Sequence, residues 1–165
     1  MRRLTITPQA CVEALAVLVA FAWADARLDD REKASVRGAA QVLNLTKEHR
    51  EKLESMLDKP STIESVKAER LSPRDRAFAY VAAVWMCGVD EDVSAKEEGM
   101  LYRLADMLEI DDARKAELEG IARAVGPHPA GGRQWGDEIV RLFKAIPARL
   151  EQPTGDLEEI EVTFE

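Results

Sequence analysis

The sequence predicts an all-α protein: a helical bundle of about seven to eight helices, built from two tandem three-helix repeats (7–56 and 72–121) and a C-terminal helix. Three observations support this prediction: an internal repeat, two segments that are apolar nearly throughout, and apolar residues at helical spacing in the segments between them. We expect one domain over residues 1–150, followed by an acidic tail at 151–165.

The internal repeat aligns Thr7–Met56 with Ser72–Ile121 without a gap. Nine of the fifty aligned pairs are identical. Each copy opens with a hydroxyl residue followed by proline, Thr7-Pro8 and Ser72-Pro73. The hydroxyl can cap a helix, and proline suits the first helical position because its missing N–H would be unpaired there. This recurrence of helix signals is stronger evidence for duplication than the identities alone.

The first helix of each copy is predicted at 8–24 and 73–88, and both segments are apolar nearly all round. Such helices are normally buried. We therefore expect the two to pack against each other at the centre, wrapped by the outer helices and related by an approximate two-fold axis. The outer helices carry apolar residues at helical spacing in both copies: Val36, Ala39, Ala40, Leu43, Leu53 and Met56, then Leu101, Leu104, Ala105, Leu108, Leu118 and Ile121.

The remaining segments are short connections and a final helix. Residues 62–69 suit a short linking helix, and the Pro/Gly-rich segment 126–132 is predicted to be a loop. Pro147 is expected to loosen the last turn of the final helix. Residues 3–5 and 160–164 have a strand-like composition, but no strand pair is included in the predicted fold. The final helix has an apolar face at Trp135, Ile139, Leu142, Ile146 and Leu150.

The net charge of −8 is concentrated at the end of the chain. Six acidic residues and no basic ones occur after residue 150: Glu151, Asp156, Glu158, Glu159, Glu161 and Glu165. We interpret this tail as a solvated end, although acidic tails can also recruit basic partners. An acidic chain without a basic patch is a poor candidate for binding nucleic acid or an anionic membrane. No apolar run approaches the ~20 residues of a membrane span, so an integral membrane protein is not expected.

The residues that usually carry catalysis occur without partners. Cys11 and Cys87 lie in apolar runs and form no ligand-spaced pair, which indicates reduced core residues of a cytoplasmic protein. His49 and His128 have no Ser, Cys or acidic partner at a diagnostic spacing. Gly131-Gly132 does not fit a phosphate-binding loop. We expect no enzymatic activity and no organic cofactor, and we interpret the three tryptophans as core residues.

The most informative residues lie in the acidic loop that follows the apolar helix of each copy. In both loops an Asp ends the apolar helix and a Glu follows seven residues later: Asp25 and Glu32, then Asp90 and Glu97. A negative charge at a helix C-terminus is unfavourable, typically by about 0.3–1 kcal/mol. A hard divalent cation such as Ca²⁺ or Mg²⁺ would offset it, because such cations take carboxylate oxygens as ligands. These four residues are the candidate metal ligands, in an arrangement that is not an EF-hand.

Helix capping explains part of the same pattern without a metal. Asp29 and Ser94 are good N-cap residues, and Glu32 and Glu97 stand three residues further on. Asp-x-x-Glu and Ser-x-x-Glu are capping boxes, in which the Glu side chain reaches back to the N-cap amide. A protein-interaction module without metal therefore stays open as an alternative.

The two loops resemble a motif of the TerB-like family of tellurite-resistance and stress-response proteins, Ala-Asp-Gly-x-apolar-Ser-x-x-Glu after an apolar helix. Residues 24–32 and 89–97 match it, and the likeness extends over about residues 7–125. The glycine of the motif is Ala26 in one loop and Glu91 in the other, so easy access to positive φ is lost. The resemblance implies an all-helical fold, a divalent-metal site at the four acidic residues, and a non-catalytic role among the proteins of a membrane-associated stress-response complex.

Overall fold

A computed structural model describes residues 2–25, 30–59, 62–87, 95–125, 135–152, 155, 157 and 159–164. This part of the chain forms an all-α bundle with one small strand pair, which confirms the predicted fold class. The elements in chain order are β1 (Arg2–Ile6), α1 (Pro8–Asp25), α2 (Asp30–Val42), α3 (Lys47–Asp58), α4 (Pro73–Met86), α5 (Ala95–Met107), α6 (Asp112–Val125), α7 (Trp135–Glu151) and β2 (Ile160–Phe164).

The centre of the bundle is formed by α1 and α4, as the sequence predicts. These helices pack against each other more extensively than any other pair of described elements. Nearly every described side chain from Ala10 to Phe21 is inaccessible to solvent, and the same holds from Ala77 to Trp85. The sides of α1 and α4 that do not face each other are covered by α3, α5, α6 and α7. This covering explains why both helices can be apolar nearly all round.

The helix caps recur at equivalent positions of the two repeats, as the sequence alignment predicts. Thr7 Oγ1 accepts a hydrogen bond from the Ala10 amide, and Ser72 Oγ accepts one from the Asp75 amide, both at 3.2 Å. The third helices are capped in the same way, by Thr46 for α3 and by Asp111 for α6. Each cap satisfies one of the amides that lack an intrahelical partner at a helix start.

The turn between the second and third helices is also duplicated. Asn44 follows α2 and Glu109 follows α5, and each has φ of 57°. Asn44 and Glu109 are aligned with each other in the internal repeat. Asn tolerates this left-handed conformation better than Glu does, because its short amide can bond to nearby backbone groups.

The two repeats differ in how each central helix contacts the elements that pack against it. Glu13 of α1 is 1% exposed, and its carboxylate accepts hydrogen bonds from Lys52 Nζ (2.8 and 3.0 Å), Gln9 Nε2 (2.6 Å) and the Lys67 amide (2.9 Å). This cluster joins α1, α3 and the segment that links the repeats. The equivalent position in α4 is Phe78, which is also buried.

Phe78 has an apolar partner in place of an ion pair. Its ring meets the ring of Phe143 of α7 edge to face, with centroids 4.9 Å apart. The helix α7 thus covers this part of the second repeat, and it also packs extensively against α2 of the first repeat. The predicted inward face of α7 is confirmed at Ile139, Leu142 and Ile146, which are fully buried.

The chain is closed by a parallel pair of strands that the predicted fold did not include. β1 pairs with β2 in a register that sets Arg2 opposite Ile160 and Ile6 opposite Phe164. Arg3 and Glu161 form a cross-strand ion pair of 3.3 Å. Ile6 is buried, and Phe164 packs against the core. The tail is thus not solvated throughout, because its residues 160–164 are part of the fold.

Three local expectations are corrected by the structure. The linking segment forms two short 3₁₀ turns, Ile63–Ser65 and Ala68–Arg70, instead of one helix. The second apolar helix ends at Met86 instead of residue 88. Pro147 lies within α7 without loosening its last turn, since the Gln152 amide still donates to the Ala148 carbonyl at 2.9 Å. Among the described helices, none is long and apolar enough to cross a membrane.

The left-handed turn at Asn44 gives a test of the duplicated geometry. Asn44→Ala should lower the free energy of unfolding by about 1 kcal/mol, because alanine is strained at positive φ. Asn44→Gly should stay within about 0.5 kcal/mol of the wild type, since glycine has no such strain. Urea denaturation measures both values. Equal destabilisation by the two variants would contradict the argument.

The buried carboxylate of Glu13 gives a second test. Lys52→Met should cost about 3–5 kcal/mol of unfolding free energy, because it leaves a buried charge without its cation. Adding Glu13→Leu should recover part of that loss, so a double-mutant cycle should give a coupling energy of about 2 kcal/mol. Additive losses in chemical denaturation would show that the two side chains do not stabilise each other.

Candidate functional site

Each acidic loop joins the end of a central helix to the start of the next helix, α1 to α2 and α4 to α5. At the starts of the central helices, Arg74 Nη2 donates to the Thr5 carbonyl at 3.5 Å. Burial and, to a smaller extent, the charge of Asp75 raise the pKa of the Cys11 thiol to about 12. The Arg74–Thr5 hydrogen bond places the N-terminal ends of α1 and α4 close together. Since the two helices start together and pack extensively against each other, we infer that their C-terminal ends lie at the same end of the bundle, here called the loop end.

The loop end comprises the ends of α1 and α4 and the starts of α2 and α5. The sequence alone left open whether the two acidic loops share a region or lie at opposite ends. The helix directions favour the first arrangement. Two negative helix C-termini and two positive helix N-termini therefore face the same side of the molecule.

The four candidate ligands are described by the structure to different extents. Asp25 is the last residue of α1, and Glu32 and Glu97 are the third residues of α2 and α5. The side chains of these three lie outside the described part of the chain, as does all of Asp90. Within the described part, no group of three or more His, Cys, Asp or Glu side chains is arranged to hold a metal ion. The metal site thus stays a prediction.

A cation that the sequence analysis did not consider lies beside this end. Lys33 Nζ stands over the Trp23 ring, 5.9 Å from its centroid. The Trp23 indole donates to the Met56 carbonyl at 2.9 Å, so the ring is fixed against the end of α3. The signal was present in the sequence, since Lys33 directly follows the motif residue Glu32. Arg27, another basic residue close to this loop in the sequence, lies outside the described residues.

Other residues singled out in the sequence have structural positions. Cys11 and Cys87 are buried and unpaired with each other, as predicted. A thiol with the raised pKa of Cys11 stays protonated at neutral pH and is a poor nucleophile. Trp85 is 1% exposed, which confirms it as a core residue. His128 lies outside the described residues.

The fold and the duplicated hairpins were compared with known proteins. A protein-family model described as a protein of unknown function, DUF533, matches residues 7–122. The chain belongs to the DUF533 family. The DUF533 match begins at the Thr7 cap and extends into α6, so it includes both repeats and both acidic loops, whereas α7 and β2 lie outside it. No curated protein and no solved structure matches the chain significantly.

The groove between the second and third helices of a repeat is here called its outer groove. In the first DUF533 repeat, this groove contains a well-formed ion pair. Arg37 of α2 holds Glu54 of α3 with two parallel hydrogen bonds, Nε to Oε1 at 2.6 Å and Nη2 to Oε2 at 3.0 Å. The hydrogen bond from Arg37 lowers the pKa of the Glu54 carboxyl. Both side chains are about half exposed, so the pair is screened by solvent.

This ion pair makes stability depend on pH. Since the pKa of Glu54 is lower in the folded chain than its ordinary value of 4.5, the pair stabilises the fold above that value. Its contribution is lost as the pH falls through the folded pKa. Arg37→Gln should cost less than about 1 kcal/mol near neutral pH, and the cost should vanish in acid. Urea denaturation across this pH range checks it; a cost that is independent of pH would contradict the assignment.

Proposed function

We propose that this chain is a non-catalytic, TerB-like binding module with a divalent-cation site between its two acidic loops. The ligands are carboxylate oxygens of Asp25, Glu32, Asp90 and Glu97, and the cation is of the Ca²⁺ or Mg²⁺ type. The cation supplies positive charge where two negative helix ends meet. It thereby ties the two repeats together at the loop end.

One observation carries this proposal: the same Asp and Glu spacing occurs twice, and the helices that flank both copies share one end of the bundle. Each loop supplies two of the carboxylates that recur at equivalent positions, which is few for a hard cation that takes six or more oxygens. The two loops together would supply four, with carbonyls and water completing the shell.

The proposed context is a cytoplasmic stress-response complex in which the module binds other proteins. The DUF533 match includes the duplicated loops, and the loops resemble the TerB-like motif. Association with a membrane would then come through partners, since none of the described helices qualifies as a span. The acidic charge disfavours nucleic acid as the partner.

A second candidate is an interaction module in which the loops serve only as helix caps. The helix boundaries favour this reading at two residues. Glu32 and Glu97 are each the third residue of a helix, which is the position of the acidic member of a capping box. Capping accounts for both glutamates, but it leaves Asp25 as the last residue of α1, which is an unfavourable position for a negative charge. Asp90 follows the end of α4 at Met86 and lies outside the described residues.

Metal titration of the full chain distinguishes the two candidates. Chelator-treated protein is titrated with Ca²⁺, Mg²⁺, Mn²⁺ and Zn²⁺ while thermal unfolding and heat of binding are recorded. A cation at a hundredfold excess over its Kd should stabilise the fold by about 2.7 kcal/mol. For a chain of this length, that shift corresponds to roughly 5–10 °C in Tm.

The matched variants change the same charge at different places. Asp25→Asn/Asp90→Asn should abolish the metal-dependent rise in Tm. Glu48→Gln/Asp106→Asn neutralises two exposed acids, near the start of α3 and the end of α5, and should keep it. No stabilisation by any of the four cations would exclude the metal site and leave the interaction module.

A further inference from the structure

A small cleft lies in the outer groove of the second repeat, between α5 and α6 and beside α4. Its volume is about 280 Å³. Three carboxylates and one ammonium give it a formal charge of −2, and two tyrosines complete its polar wall. The lining residues are Tyr80, Glu98, Leu101, Tyr102, Asp112, Lys115, Ala116 and Glu119.

In the equivalent groove of the first repeat, the chain itself supplies a cation to the glutamate position that the two repeats share. The alignment of the two repeats sets Glu119 at the position of Glu54, and Tyr102 at the position of Arg37. In the first repeat, the Arg37 guanidinium makes two hydrogen bonds to the Glu54 carboxylate. The acceptor is retained in the second repeat, but the donor is replaced by a phenol ring.

Among the described residues, Glu119 has no partner equivalent to Arg37. It is half buried, and its carboxylate makes no hydrogen bond or ion pair with any of these residues. Lys115, one turn before it on α6, lines the same cleft but pairs with Asp112, with its Nζ 3.1 Å from Asp112 Oδ1. The Glu119 carboxylate is not cut off from water, and it can accept charge-assisted hydrogen bonds from a cation that enters the cleft.

The hydroxyl of Tyr80 adds an independent polar group to the cleft. Tyr80 is 1% exposed and lines the cleft, and within the described residues its hydroxyl has no hydrogen-bond partner. Burial, followed by the nearby charge of Glu119, raises the pKa of this phenol to about 12. The hydroxyl therefore stays neutral, and it can accept an N–H of a bound cation.

Tyr102 supplies a flat aromatic surface at the mouth of the cleft. It is 59% exposed, which is unusual for a residue with a large apolar ring. The ring already attracts a cation, since Lys115 Nζ lies 4.1 Å from its centroid. Guanidinium groups stack on such rings more readily than ammonium groups do, because they are planar and more weakly hydrated.

We propose that this cleft binds the guanidinium group of an arginine supplied from outside the chain. Glu119 accepts the paired hydrogen bonds that Glu54 accepts from Arg37, the Tyr80 hydroxyl accepts a further N–H, and Tyr102 covers the guanidinium plane. A metal ion is not the expected ligand, because the three carboxylates do not converge into a group able to hold one. The site is separate from the acidic loops, so it stands independently of the proposed metal site.

A larger cleft of about 480 Å³ near the start of α4 does not have this property. It contains Arg74, Arg76 and Arg114, but acidic side chains lie close to each of them. Arg76 Nη1 is 2.7 Å from Glu109, and Arg114 Nη1 is 2.7 Å from Glu117. The charges there are paired within the chain, whereas Glu119 has no donor among the residues that the structure describes.

The test uses the full chain labelled with ¹⁵N and titrated with N-acetyl-argininamide. Amide shifts should change and saturate at residues 80, 102 and 119. The citrulline analogue has the same shape without the charge, and it should cause no saturable change. Glu119→Gln should weaken binding about tenfold, which corresponds to the loss of a charge-assisted hydrogen bond. Glu117→Gln, on the neighbouring exposed turn of α6, should leave the affinity unchanged.

Tyr102→Arg provides a second variant, because it restores the residue pair of the first repeat. Its own guanidinium should occupy Glu119 and abolish binding of the probe. A Gly-Arg-Gly peptide separates the two sources of arginine: tighter binding than the single residue indicates a protein segment, and equal binding indicates a free small molecule. The proposal is overturned if citrulline binds equally well, or if Glu119→Gln leaves the affinity unchanged.

Discussion

The packing of α1 against α4 is the constraint on which the other features depend. Neither helix has a polar face, so neither can be stable at the surface, and each needs the other to bury its apolar area. The hydrogen bond from Arg74 to the Thr5 carbonyl places the two helices together at their starts. The packing of this central pair therefore also fixes the helix ends from which the acidic loops begin.

Much of this arrangement could be predicted from the sequence, because its signals are local and duplicated. The Thr7 and Ser72 caps, the apolar helices and their mutual burial follow from residue type and periodicity. The β1–β2 ladder was outside the predicted fold, since a short strand-like segment has no local signal for a partner far along the chain. The two 3₁₀ turns replace the predicted linking helix where the Lys67 amide bonds to the buried Glu13. Such a tertiary contact cannot be read from the linking segment alone.

The candidate sites were predictable to different degrees. The acidic loops stand out in the sequence because an Asp at a predicted helix C-terminus contradicts the usual preference in both copies. The structure keeps Asp25 in that position, whereas α4 already ends at Met86, before Asp90. The cleft at Glu119 has no motif, and neither Tyr102 nor Glu119 is unusual for an exposed helix. It became visible only when the pair was compared with Arg37 and Glu54 in the folded groove. The duplication thus allows the contacts at each position to be compared with those at the equivalent position of the other repeat.

The same comparison shows that the central helices of the two copies are packed by different kinds of contact. Where the first repeat has a buried carboxylate, Glu13, the second has Phe78 against α7. Glu13 joins its repeat to the linking segment, and Phe78 joins its repeat to α7, a helix outside the DUF533 match. Because α7 also packs against α2, both repeats contact the C-terminal part of the chain. The two halves are alike in backbone, but they are not interchangeable.

The ladder between β1 and β2 has a consequence for the order in which the chain folds. It joins Arg2 to Ile160, so its formation closes a loop that contains almost every residue. The entropy lost in such a closure is recovered only once the intervening helices are compact. The strands therefore assemble last, on a surface that already exists. Protection of their amides from hydrogen exchange would mark the moment at which the bundle is complete.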